Sequence, residues 1–147
     1  MRLNFFKKEN KVALLVDGPN LLRKEFSVDL RELKKRAEKY GKILIAKVFI
    51  NQFAPEKLIE AIINEGFECV TVLSEREESD VDVSLAVSAM EIIFKKDVDV
   101  IVLATRDTDF LPVVQKAREY GKKTVLIAPN QEISSSLKNS VDKFEKL

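Results

Sequence analysis

Among its 147 residues the chain has no histidine. That absence excludes Ser-His and Cys-His nucleophile systems and the usual zinc sites. A single cysteine, Cys69, excludes an internal disulfide and a cysteine-based metal cluster. It lies in FECVTVL, an apolar strand-like run, where a thiol serves as a small core residue. No apolar stretch approaches the roughly 20 residues of a membrane span. The apolar patch in MRLNFFKKENK is too short for a signal peptide. The expectation is a cytoplasmic, soluble chain with no membrane partner. An excess of one charge is missing as well: 25 basic against 24 acidic residues leave a net charge of +1. No global field calls for nucleic acid, so any basic surface must be local. Chemistry here must rest on carboxylates, lysines, arginines, hydroxyls or a metal held by oxygen.

What is present alternates. The length is that of one ordinary domain, and a hydrophobic fraction of 46% is enough to fill its core. KVALLVD (11–17) is a short β-branched run stopped by Gly18-Pro19, which predicts a buried strand. SVDLRELKKRAEKYG (27–41) spaces Leu30, Leu33, Ala37 and Tyr40 at helical intervals, with Ser27 placed to cap and Gly41 to stop. KILIAKVFI (42–50) and FECVTVL (67–73) read as strands around a helix, PEKLIEAIINEG (55–66), that Pro55 opens and Gly66 closes. SDVDVSLAVSAMEIIFKK (79–96) is helix, DVDVIVLAT (97–105) strand, 108–121 helix and KKTVLIAP (122–129) strand. ISSSLKNS is a candidate short helix and VDKFEKL a final edge element. This alternation predicts an α/β fold in three layers: a mainly parallel five-stranded sheet with helices on both faces. Residues 1–10 read as an N-terminal extension and 11–147 as a single domain, with no repeat or linker inside.

In open α/β sheets, ligands bind outside the carboxyl ends of the strands, where strand order reverses. Asp17 ends the first strand, Asp107 and Asp109 follow the fourth, and Asp80 and Asp82 open the helix after the third. Each acid also has a local structural use. Asp17 suits a turn or cap. Ser79 and Asp82 fit a capping box. Asp107 or Thr108 suits a cap, and Asp109 favours the helix dipole. Asp82, however, begins a stripe with Leu85, Ala86, Ala89, Met90 and Ile93, all on one helical face. A carboxylate at the edge of an apolar face is costly unless it is paired or binds a metal. Asp80 heads a more mixed face, so Asp82 is the preferred inward group. If the first and fourth strands are neighbours, Asp17 and Asp107 face each other. Acids that converge without basic partners repel: either some stay protonated or a divalent cation neutralises them. An oxygen-only site that keeps waters suits Mg²⁺ or Mn²⁺, which acidifies bound water and clamps a phosphoryl oxygen.

VALLVDGPNLLRKEF, the V-D-V at 81–83 and TRDTDFLPVVQKAREYGKKTVLIAP resemble, in order and spacing, the NYN domain family. This family, also called LabA-like, falls within the PIN-like nuclease superfamily, and the likeness is greatest to its archaeal branch. It implies a PIN-like sheet of strand order 3-2-1-4-5 with an acidic metal site at its carboxyl edge. It also implies metal-dependent hydrolysis of RNA by an activated water, leaving 5′-phosphate and 3′-hydroxyl ends. Asp17, Asp82, Asp107 and Asp109 match the family's acidic positions as metal ligands, Asp109 alternatively as the base that orients the water. Asn20 matches its asparagine, a hydrogen-bonding orienter. Thr105 stands where many members have Ser, Arg106 where many have Gly, and Ser88 where many have a further Asp. Arg106 either binds the scissile phosphate or ion-pairs with a site carboxylate.

Arg23, Lys24 and Lys47 are further candidates for phosphate contact. Phe26, Phe49 and Phe53 suit base stacking or core packing. A second reading keeps the fold as a catalytically weak or inactive RNA-binding or protein-interaction module. A third, a receiver or haloacid-dehalogenase-like phosphatase, fits less well. The D-x-D follows the fourth strand rather than the first, and Ala128-Pro129 replaces Lys-Pro. ISSSLKNSVDKF is a candidate to cover the site edge or to support a homodimer contact.

Overall fold

Six of the seven residues of β1 (Lys11–Asp17) are buried. A strand buried on both faces belongs at the centre of a parallel sheet. In the computed structural model, β1 lies between β2 (Lys42–Asn51) and β4 (Val100–Ala104). β3 (Glu68–Val72) pairs beyond β2, and β5 (Lys123–Ala128) beyond β4. The structure describes residues 9–22, 29–75, 81–95, 97–106, 108–129 and 133–147, with the side chains of Asn20 and Thr108 excepted. All strand pairs are parallel, and the chain moves outward from β1 to one side and then from β4 to the other. The strand order therefore reverses between β1 and β4, the position at whose carboxyl ends open α/β sheets place their ligand crevice.

Alternation along β1 divides the core. Ala13 and Leu15 face α4 (Asp82–Lys95), α5 (Leu111–Glu119) and α6 (Ser135–Ser140). Val12, Leu14 and Val16 face α2 (Leu30–Glu38) and α3 (Glu56–Asn64). α2 buries Leu30, Leu33 and Ala37, the stripe its spacing predicts. Its cap is Asp29, whose Oδ1 accepts from the Arg31 amide at 2.8 Å, whereas Ser27 lies outside the described residues. α4 buries Leu85, Ala89, Ile92 and Ile93. Its outer face leaves Val83, Val87 and Phe94 exposed, with the Phe94 ring edge-on to Tyr120 at 4.8 Å. Phe49 is buried in the core and Phe53 is exposed, while Phe26 lies outside the described residues. No helix among the described residues is long and apolar enough to cross a membrane.

The sheet has six strands rather than five. β6 (Lys143–Lys146, KFEK) extends the edge parallel to β5. Its burial is that of an edge strand carrying one buried acid, Glu145. The Tyr40 hydroxyl and the Lys39 ammonium, the latter at 3.0 Å, donate to Glu145. Arg36 Nη1 stands 3.8 Å from Glu145 and donates to the Lys146 carbonyl at 2.7 Å. A buried carboxylate is tolerable in such company and not alone. Burial, and then the Glu145 carboxylate, push the Tyr40 phenol above its ordinary range.

Candidate active site at the carboxyl edge

β1 ends at Asp17, which is fully buried. The turn that follows is packed onto β2. A Cβ added to Gly18 would lie 2.4 Å from the Phe49 carbonyl oxygen and 2.9 Å from Ile50 Cγ2. Only glycine permits that approach. α1 (Gly18–Leu21) is a single helical turn, anchored by the fully buried Leu21 and closed by the Leu22 amide donating to the Gly18 carbonyl at 2.8 Å. Asp17 is thus held between β2 and β4 by backbone packing, independently of its own charge.

From the other side comes Thr105, which follows β4. Val16 pairs with Ala104, which sets Thr105 level with Asp17. The Thr105 hydroxyl donates to Asp17 Oδ2 at 2.9 Å, and both residues are buried. The Thr105 amide continues the ladder to the Ile127 carbonyl at 3.2 Å. A hydroxyl donor offsets part of the cost of burying a carboxylate and fixes its orientation. Thr105, expected to replace the family serine, therefore holds the first acid.

Asp82 opens α4, half-buried, with its Oδ1 shielded from solvent. Val81 places it: the Val81 side chain is buried and its carbonyl accepts from the Leu85 amide at 2.9 Å. α4 packs against β1 and against the 3-10 turn Thr108–Phe110. Buried Phe110 anchors that turn and leaves Asp109 exposed on it. Arg106, half-buried, follows Thr105 directly. Lys47 stands 3.6 Å from Glu68, paired away from the edge. Asp107, Arg23 and Lys24 lie outside the described residues, as do Ser79 and Asp80, and the Asn20 side chain is likewise not described. Among the described residues no three acid or thiol groups stand close enough to hold one metal ion. The sequence-predicted set is therefore placed in part: Asp17 with Thr105 at the centre, and Asp82 and Asp109 on elements that pack together.

Asn51 escaped the sequence reading. It ends β2 beside β1, is 5% exposed, and its Oδ1 accepts from the Phe53 amide at 2.9 Å. The signal was an asparagine that follows an apolar run and opens N-Q-F-A-P, the composition of an Asx turn. A buried polar side chain thus stands on each strand around the crevice: Asn51 on β2, Asp17 on β1 and Thr105 after β4. In donor chemistry the edge suits a hard divalent cation. Its carboxylates are one fully buried and one with a shielded oxygen, and the chain has no histidine.

Residues 11–147 match the profile of the NYN domain. The chain belongs to the NYN domain family. This is a nuclease-like PIN-fold domain, and the observed strand order continues the 3-2-1-4-5 expected of it with β6 added. An uncharacterized protein of Methanocaldococcus jannaschii is 45% identical over 141 residues, covering 96% of this chain and 57% of its own length. The chain thus spans less than two thirds of that relative. A crystal structure of a protein of unknown function from Vibrio parahaemolyticus superposes with a TM-score of 0.81 at 24% identity, covering 100% of this chain and 96% of the other. That likeness carries the fold.

Proposed function

We propose that this NYN domain is a metal-dependent endoribonuclease that hydrolyses RNA phosphodiester bonds at the carboxyl edge of β1 and β4. The observation that carries the reading is the buried Asp17 carboxylate, oriented by Thr105 at the point where strand order reverses. Asp17, Asp82 and Asp107 are the residues to hold Mg²⁺ or Mn²⁺. When bound, the ion supplies positive charge for the transition state and an acidified water.

The chain's own groups do the rest. Thr105 keeps Asp17 in one orientation, so the carboxylate does not reorganise as charge develops. Asp109, exposed on its turn, orients the attacking water, accepts its proton and returns it to solvent. The water oxygen forms a bond to phosphorus in line with the breaking P–O3′ bond. The departing 3′ oxygen takes a proton from solvent, leaving 3′-hydroxyl and 5′-phosphate ends. Asn20 orients the site, and Arg106 with Arg23 and Lys24 contacts phosphate oxygens.

The test is cleavage of labelled single-stranded and hairpin RNA in Mn²⁺, Mg²⁺ or EDTA, with Asp107→Asn beside wild type. Metal-dependent cutting that the variant lacks supports the reading. A folded wild type that cuts under no metal overturns it and leaves an RNA-binding or protein-interaction module of the same fold, with Arg106 the first residue to revert to the family's glycine.

A further inference from the structure

With a net charge of only +1, any nucleic-acid surface on this chain must be local. One such surface lies away from the crevice. A groove of about 470 Å³ runs between α2 and β6, lined by the cations Lys35, Arg36, Lys39, Lys143 and Lys146 against the carboxylates Glu32 and Glu145. The carboxylates are already engaged. Glu32 accepts from Arg36 at 3.3 Å, and Glu145 is held by Tyr40, Lys39 and Arg36. Among the described residues, Lys35, Lys143 and Lys146 have no carboxylate within ion-pairing distance, and all three are exposed. Lys143 shares the α2 face of β6 with Glu145, while Lys146, by alternation, shares the face of Phe144 at the open edge of the sheet.

The register joins this groove to the crevice. Val16 pairs with Ala104, Ala104 with Ile127, and Ala128 with Lys146. The next level of the sheet therefore runs Asp17, Thr105, Ala128, Lys146. Three strand spacings separate its ends, about 14 Å at about 4.8 Å each.

We propose that the α2–β6 groove is an RNA-backbone track, in which Lys35, Lys143 and Lys146 bind the phosphates of the strand whose scissile bond lies at Asp17. This rests on the ribonuclease reading above, yet it is tested by binding rather than cutting. The measurement is fluorescence anisotropy of a labelled single-stranded RNA dodecamer across a salt series, with EDTA present. Wild type is compared with Lys35→Gln/Lys143→Gln/Lys146→Gln and with a control of equal charge change, Lys42→Gln/Lys57→Gln/Lys95→Gln. Circular dichroism checks the fold of each.

At about 0.7 per phosphate contact for single strands, the groove variant flattens the log Kobs against log salt slope by about 2, and weakens binding on the order of 100-fold at about 0.1 M salt. The control keeps the wild-type slope. If the groove variant matches the control while wild type binds with a steep slope, the track is refuted and the ribonuclease reading stands. Self-association of the groove variant with unchanged binding also refutes it: the lysines then only keep the β6 edge from pairing with another chain. If wild type shows no salt-dependent binding, the track is refuted, and the ribonuclease reading is decided separately by the metal-dependent cleavage assay.

Discussion

Replacing Thr105 with valine removes one hydroxyl from the buried edge and leaves a side chain of nearly the same shape. The hydroxyl donates at 2.9 Å to the Asp17 carboxylate, where both residues are shut off from solvent. A hydrogen bond to a charged acceptor contributes about 1.5–3 kcal/mol, and the larger share of its loss comes from the acceptor left short of a donor. Thr105→Val should therefore destabilise the fold by about 1.5–3 kcal/mol, a fall in Tm of roughly 3–12 °C for a chain of this size. Thr105→Ser, which keeps the oxygen and matches many family members, should lose far less. The assay is urea unfolding in EDTA, so that no cation substitutes for the donor. A double-mutant cycle with Asp17→Asn sharpens it. Against a neutral acceptor the valine should cost only about 1 kcal/mol, which leaves a coupling of about 1 kcal/mol. A folded Thr105→Val within about 0.5 kcal/mol of wild type, with no coupling to Asp17, refutes the claim that this hydroxyl holds the carboxylate.

Three further outcomes follow from other parts of the molecule. Gly18→Ala places a Cβ 2.4 Å from a backbone oxygen of β2, an obstacle that cannot swing aside. It should destabilise by about 3 kcal/mol in urea unfolding, and a neutral effect would show that α1 is not clamped on β2. The raised Tyr40 phenol predicts a pH dependence. Above about pH 10 the unfolded chain releases the phenol proton and the folded chain retains it, so the unfolded state binds fewer protons. This contribution is fully present below about pH 10 and is lost as the pH rises further, a decline that Tyr40→Phe should flatten. Equal slopes in the two proteins would remove Tyr40 as its source. Mn²⁺ at about 100 times its Kd should stabilise wild type by about 2.7 kcal/mol in a thermal-shift assay. An equal shift in Asp17→Asn would place the ion elsewhere.

Much of this was legible because apolar runs and their stops are local. KVALLVD followed by Gly-Pro declared a buried strand ending in an acid, and the stripe from Leu85 to Ile93 declared the inward face of α4. What the sequence could not give is what the chain brings from a distance. Gly18 looks like a turn residue; that it must be glycine depends on Phe49 and Ile50 of β2. The Thr105 contact depends on β4 lying beside β1, 88 residues away. β6 was read only as an edge element because KFEK carries the pattern of a solvated strand. Its inward residue is an acid, made acceptable by Tyr40, Lys39 and Arg36, over 100 residues earlier. The exposed Val83, Val87 and Phe94 blur the helical period of α4, since that helix is apolar on its outer face as well.

In the proposed reaction, the acid buried at the end of β1 serves RNA cleavage. The most direct measurement is the single-turnover rate of RNA cutting in Mn²⁺ by wild type and by Asp17→Asn, with the fold of both verified. Wild type should cut RNA in a way that EDTA abolishes, and the variant should lose on the order of 10²–10³-fold, the scale of removing a preorganised electrostatic group. Asp17→Asn cutting at the wild-type rate, or wild-type cutting that persists in EDTA, would contradict that role.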